Sequence, residues 1–225
     1  MSKGEGTIRV ILTGATGMVG EGVLMECLEH PAIERVLVVG RKPCGRTHAK
    51  LTELLVPDFL ELGGVAEQMR GYDACLYCAG ISSQGMKEAA YSRVTYDAPI
   101  HFAETLVGLN PAMVFAHVSG AQADSSERGR VMWARVKGKA ENALMRLGFA
   151  RVYNFRPGFM QPTAGQKNVK SFYTVIGTLY PLVNVLFPKY VCTMREVGLA
   201  MIHSVLKGYP KAVLEVVDIR KLAKS

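Results

Sequence analysis

Thr7-Ile8-Arg9-Val10-Ile11-Leu12-Thr13-Gly14-Ala15-Thr16-Gly17-Met18-Val19-Gly20 is the stretch on which the reading of this chain turns. Residues 7–12 form a short β-branched and apolar run, and such a run closed by glycines reads as a strand buried on both faces. Residues 19–28 then carry a helical pattern, stopped by His30-Pro31. Gly14, Gly17 and Gly20 recur every third residue in the turn between strand and helix. In that setting the spacing suits a dinucleotide. One glycine permits the tight turn, one lets backbone approach a pyrophosphate, and the last lets helix and strand pack closely. The phosphates meet the free N–H groups and the positive end of the helix dipole. The expected cradle is Gly14, Thr16, Gly17, Met18 and Val19. No Gly-Lys-Ser/Thr follows, which excludes a P-loop.

Outward from this unit, strand-like runs lie at 35–39, 53–56, 74–78, 113–118, 151–155 and 212–217, and helical patterns at 62–69, 87–109 and 129–147. Parallel strands need crossover connections, so the alternation predicts an α/β fold, a doubly wound parallel sheet with helices on both faces. Its ligand belongs at the carboxyl ends of the strands, where the strand order reverses. The 225 residues suit a single domain over 1–225, with 160–210 contributing a small substrate or cap region. With 49% apolar and 20% charged residues, disorder is excluded.

A formal charge of +8, from 27 Lys and Arg against 19 Asp and Glu, suits an anionic partner. The basic residues are scattered or paired and the fingerprints of nucleic-acid binding are missing, so a small anionic ligand fits better. Cys27, Cys44, Cys75, Cys78 and Cys192 make an odd count, three of them in apolar runs, and no apolar leader precedes the first strand. Both point to a reducing compartment, and a cytoplasmic location is expected. Cys75 and Cys78 form a C-x-x-C, but on a strand residues three apart face opposite ways, so no metal site is expected. The uncharged segment 171–188 reads as a broken helical cap with scope for contact with a membrane surface. Oligomeric state is not legible.

At the end of the second strand an unmodified ribose calls for a carboxylate. This chain has Gly40-Arg41-Lys42 there, and Arg41 and Lys42 suit a 2′-phosphate, although a solvated basic loop would look the same. NADP is therefore expected over NAD. Asp58, with Phe59 beside it, falls where side chain or backbone meets the adenine. Ala79 and Gly80 fall where backbone passes the second ribose.

These residues, together with Val39-Gly40-Arg41, His117-Val118-Ser119, Val136-Lys137-Gly138-Lys139-Ala140-Glu141 and Phe155-Arg156-Pro157-Gly158, resemble the short-chain dehydrogenase/reductases. The resemblance is to their atypical branch, with the Tat-interacting-protein-like and NmrA/epimerase-like proteins. It covers residues 10–161 and implies an NAD(P)-binding Rossmann fold. It further implies that Ser119 holds the substrate oxygen, that Lys137 binds the nicotinamide ribose, and that Arg156, Pro157 and Gly158 pass beside the nicotinamide. The family's catalytic tyrosine would stand four residues before the lysine, and here that position is Trp133. Positions 133 and 137 share a helix face, but an indole N–H only donates and cannot exchange a proton reversibly near neutral pH. Two functions stay open. One is an NADP(H)-dependent oxidoreductase acting on an unidentified apolar small molecule through Ser119, Lys137 and Trp133. The other is a catalytically weak dinucleotide-binding protein with a regulatory or membrane-associated role.

Overall fold

A computed structural model of the chain describes residues 6–169 and 180–225. β1 (Ile8–Thr13) lies between β2 (Ile33–Gly40) and β4 (Ala74–Tyr77) and runs parallel to both. With β3 (Leu51–Leu55), β5 (Val114–Val118), β6 (Arg151–Arg156) and β9 (Val213–Glu215) they form a sheet ordered β3-β2-β1-β4-β5-β6-β9, parallel throughout. The order reverses between β1 and β4, which opens the crevice expected of a doubly wound Rossmann sheet.

Side chains alternate across this sheet. Val10, Leu12, Val36 and Val38 pack beneath α1 (Met18–Glu29), α6 (Met194–Leu206) and α7 (Val216–Ala223). Ile11, Leu37, Tyr77 and Phe115 pack on the opposite face against α3 (Ala98–Leu109) and the end of α4 (Met132–Leu144). Cys75 packs with the second cluster and Cys78 against the first, so the two thiols point to opposite faces.

Several boundaries differ from the sequence reading for local reasons. The helix expected over 62–69 is a single 3₁₀ turn, Ala66–Met69, because Gly63 and Gly64 occupy what would be its start. The strand expected to 217 ends at Glu215. A reciprocal cap between Glu215 and Asp218 starts α7 there and takes Val216 and Val217 into a helix. The long helix over 87–109 divides into α2 (Glu88–Ser92), a π turn (Arg93–Asp97) and α3. Pro99 has no N–H for the carbonyl four residues back and its ring would crowd that carbonyl, so the turn before it widens.

Of the 160–210 region expected as a cap, β7 (Phe159–Gln161) and β8 (Val191–Thr193) form a separate two-stranded parallel sheet beside the crevice. Residues 194–206 do something else. They form α6, whose Met194, Val197, Ala200 and Met201 are fully buried in the main core. Of the uncharged segment, 171–179 lies outside the described residues. Its described end is α5 (Tyr180–Leu186), where Val185 and Leu186 are exposed, as are Phe187 and Tyr190 beyond it. No helix among the described residues is long and apolar enough to cross a membrane.

The crevice depends on two glycines. Gly14 has φ +74°, and a Cβ there would stand 2.6 Å from the backbone of Cys78 and Ala79 at the end of β4. A Cβ on Gly20 would stand 2.1 Å from the Gly14 carbonyl oxygen, whereas one on Gly17 would stand 3.4 Å from it. Gly20→Ala should therefore cost about 2–4 kcal/mol and Gly17→Ala about 1 kcal/mol or less. Urea unfolding of the two variants checks the contrast, and equal losses would contradict it.

Candidate functional site: a crevice along the strand ends

Thr13, fully buried at the end of β1, accepts the amides of Cys78 and Ala79 on its Oγ1, both at 3.1 Å. This ties the β1 and β4 ends into one rim. The Gly17 N–H closes the turn onto the Gly14 carbonyl at 2.9 Å, and the first helical bond of α1 is Glu21 N–H to Gly17 O. Met18, Val19 and Gly20 therefore present first-turn amides toward the crevice with the positive end of the helix dipole behind them.

Two cavities meet at this turn. The larger, about 660 Å³, runs from Gly14, Thr16 and Gly17 to Arg41, Lys42, Asp58, Phe59 and Arg93, with Ala79 and Gly80 on its floor. The second, about 560 Å³, shares Thr16, Gly17, Ala79 and Gly80 and continues past Met18 and Val19 to Ser119, Lys137, Met160 and Asn168. One groove thus gathers residues expected separately from the sequence.

At the outer end Arg41, Lys42 and Arg93 face a single carboxylate. Asp58 accepts the Leu60 amide at 3.0 Å and pairs with Arg93 at 3.0 Å. These contacts, with Arg41 nearby, hold its carboxyl below the usual range. Its side chain, in the cavity lining, thus already accepts two donors. Phe59 packs on Phe102 and Tyr77, ring centroids 5.2 and 6.2 Å away, and so walls the cavity from the core. Arg93 is a residue the sequence reading missed, because the π turn that lines it up here has no sequence signature beyond Pro99.

At the inner end Ser119 N–H donates to Phe155 O at 2.8 Å, while its own Oγ is buried without a hydrogen-bond partner. A buried hydroxyl with nothing to bond is costly unless a ligand completes it. Lys137 Nζ donates to the Ser119 carbonyl at 3.0 Å. Burial pulls this amine down to about 8, with Glu141 one turn away acting in the opposite sense. Beneath them His117 bonds Asn154 through Nδ1 at 3.0 Å. Burial, and then the Lys137 charge, lower it to about 4, so it is neutral. Trp133 is half-buried one helical turn from Lys137 and does not line the described cavity. Nor does any tyrosine among the described residues: Tyr77 lines the outer cavity, Tyr91 is in the core, Tyr96 lies under Lys139, and Tyr153 bonds Tyr209.

Arg156, Pro157 and Gly158 are tied into the fold. Arg156 is bidentate on the fully buried Glu141 and also reaches Ser125 at 2.6 Å and Glu215 at 3.2 Å, so its guanidinium locks β6 to α4. Pro157 accepts the Ala121 amide. A Cβ on Gly158 would stand 2.1 Å from the Tyr190 carbonyl oxygen, so this glycine serves the approach of β8. None of the three lines either cavity.

Also unanticipated was Glu21. Its nearly buried carboxylate accepts the Lys167 and Asn168 amides and the Arg46 guanidinium. Burial would raise this acid, but the three donors outweigh it and hold it low.

A parallel sheet of this order with a glycine turn at its switch point is a Rossmann dinucleotide fold. Among curated proteins the chain is 25% identical over 230 residues to the mitochondrial protein FMP52 of Meyerozyma guilliermondii, covering 96% of each. It is 28% identical over 153 residues to HTATIP2 of Rattus norvegicus, covering 67% of this chain and 62% of the relative. No family model matches. Among solved structures, Bordetella bronchiseptica WbmF with NAD⁺ superposes with a TM-score of 0.69 at 13% identity, covering 99% of this chain and 78% of WbmF. Streptomyces venezuelae DesIV, a dTDP-glucose 4,6-dehydratase with NAD bound, gives 0.68 at 15%, covering 96% and 79%. The chain is thus similar in sequence to the FMP52 and HTATIP2 proteins, and it shares the Rossmann fold of the solved NAD-bound structures. The same names overturn the cytoplasmic placement, because the fungal relatives are mitochondrial and point there instead.

Lys137 carries a pH signature. An unfolded lysine titrates near ~10.4. Between about 8 and that value the unfolded chain holds more protons than the native one, so stability rises with pH across the window. Lys137→Met should therefore melt above the parent, with the largest gap at pH 7 and a smaller one at pH 10. Melts at both values check this, and a gap independent of pH would contradict it.

Proposed function

We propose that the chain is an NADP(H)-dependent oxidoreductase acting on an apolar small molecule. The observation that carries the reading is the continuity of one groove from a cationic end, across the glycine turn, to an orphaned serine hydroxyl beside a buried lysine. The structural neighbours WbmF and DesIV hold NAD in their own structures, which supports a nicotinamide dinucleotide here. The choice of NADP rests on charge. Arg41, Lys42 and Arg93 face Asp58 alone, leaving two positive charges to match a phosphate monoester of about −2.

In this reading Gly14, Thr16, Gly17, Met18 and Val19 hold the pyrophosphate, Ala79 and Gly80 give backbone to the second ribose, and Lys137 donates to the nicotinamide ribose. Bound there, the nicotinamide supplies or takes up a hydride. The Ser119 hydroxyl donates to the substrate oxygen, which relieves its own unmet bond. Val118, Met160, Ile81 and Val169 around it exclude water and favour an apolar substrate. The chain works as one domain, with the β7–β8 sheet and the 162–169 loop as the substrate wall.

One observation favours a second reading, a nucleotide-binding regulator with weak catalysis: Trp133 replaces the expected phenol and no described tyrosine lines the inner cavity. Trp133→Tyr separates the two. In a lapsed enzyme the variant should oxidise NADPH in the presence of a generic aldehyde or quinone where the parent does not, and in a working enzyme the parent already does.

Titration of nicotinamide fluorescence tests the cofactor. NADPH should bind in the micromolar range, and Arg41→Ala should weaken it about 10–100-fold while leaving NADH within about threefold. Equal effects on both nucleotides would overturn the 2′-phosphate assignment, and binding of neither would overturn the function.

A further inference from the structure

The 41–46 loop starts at the cationic end of the groove and finishes at Arg46, against Glu21 and Met25 of α1. There the Arg46 guanidinium donates through Nη2 to Glu21 Oε1 at 2.6 Å and to the Gly165 carbonyl at 3.1 Å. Glu21, 2% exposed in the first turn of α1, accepts the amides of Lys167 at 2.9 Å and Asn168 at 2.7 Å. Gln166 adds a side-chain bond from Nε2 to the Met18 carbonyl at 2.7 Å and accepts the Thr163 amide on Oε1. Asn168 and Val169, at the end of this loop, line the inner cavity. The two loops at opposite ends of the groove therefore share one buried carboxylate, placed in the helix turn under the proposed pyrophosphate. Without Arg46 that carboxylate would keep only its backbone donors, and a buried charge short of a partner favours opening of whatever buries it.

We propose that Glu21 and Arg46 are positioning residues that couple occupancy of the phosphate end to ordering of the 163–169 wall of the substrate cleft. The proposal rests on the dinucleotide reading of the groove. A nucleotide gripped by Arg41 and Lys42 fixes the loop carrying Arg46, and the guanidinium then holds Glu21 and Gly165 in place. NADPH tightens the wall more than NADH does, since only its 2′-phosphate engages that loop. Substrate is admitted to a finished site only when the correct nucleotide is present.

Hydrogen exchange read on peptides covering 163–169 tests this in two arms. In nucleotide-free protein, Arg46→Ala and Glu21→Gln should speed exchange there by about tenfold or more, with β1 peptides unchanged. Unchanged exchange at 163–169 in Arg46→Ala overturns the clasp whatever the ligand, and this variant serves if Glu21→Gln fails to fold. In the second arm, saturating NADPH should slow exchange at 163–169 in the parent more than NADH does. Arg46→Ala should lose that protection while binding NADPH within about threefold of the parent. Protection that survives in Arg46→Ala overturns the coupling. A parent that binds neither nucleotide overturns the proposed function, and the nucleotide-free arm still decides the clasp on its own.

Discussion

Everything in this crevice follows from the absence of two side chains. The carbonyl of Gly14 lies where a Cβ on residue 20 would stand, and the end of β4 lies where a Cβ on residue 14 would stand. Only with both removed do β1, α1 and β4 meet closely enough for Thr13 to take two amides from the neighbouring strand. That contact sets the rim, the rim sets the direction of the first α1 turn, and the turn divides the groove into a cationic end and an apolar end. The chemistry proposed for each end is a consequence of where this junction puts them.

Electrostatics then separate the charged residues into two kinds. Arg156 and Glu141 neutralise one another in the interior and hold β6 against α4, and such a pair fixes geometry while adding little net stability. Lys137 has no carboxylate in hydrogen-bonding contact and is left buried beside an unpaired serine hydroxyl. A buried amine without a carboxylate partner and an unmet hydroxyl each cost stability, and their coincidence in the lining of one cavity is what the proposed function rests on.

The fold was legible because its evidence is local: a strand's apolar run, glycines at fixed intervals, a Pro stopping a helix. The cradle, Arg41, Lys42 and Ser119 could be placed along the groove for the same reason, each sitting next to a strand end, whereas Lys137, in mid-helix, was pointed to by the family resemblance alone. The Arg156–Glu141 pair was not legible because Glu141 lies fifteen residues away on another element, and a turn motif says nothing of where a guanidinium points. Glu21 was missed because its partners lie 146 and 147 positions along the chain. The location was misread because reduced cysteines do not distinguish one reducing compartment from another.

The widened turn at Arg93–Asp97 bears on how this chain is lined up with its relatives. A π turn accommodates one more residue than an α turn, and each residue of a helix rotates its successors by about 100°. Against a relative whose corresponding helix is regular, a gapless alignment through this region would be in step on one side of residues 93–97 and one position out on the other. Phe102 and Leu106, which fill the core, would then be equated with solvent-facing positions. A single-residue gap at the π turn restores both halves, and comparisons of the α3 face across the family depend on placing it there.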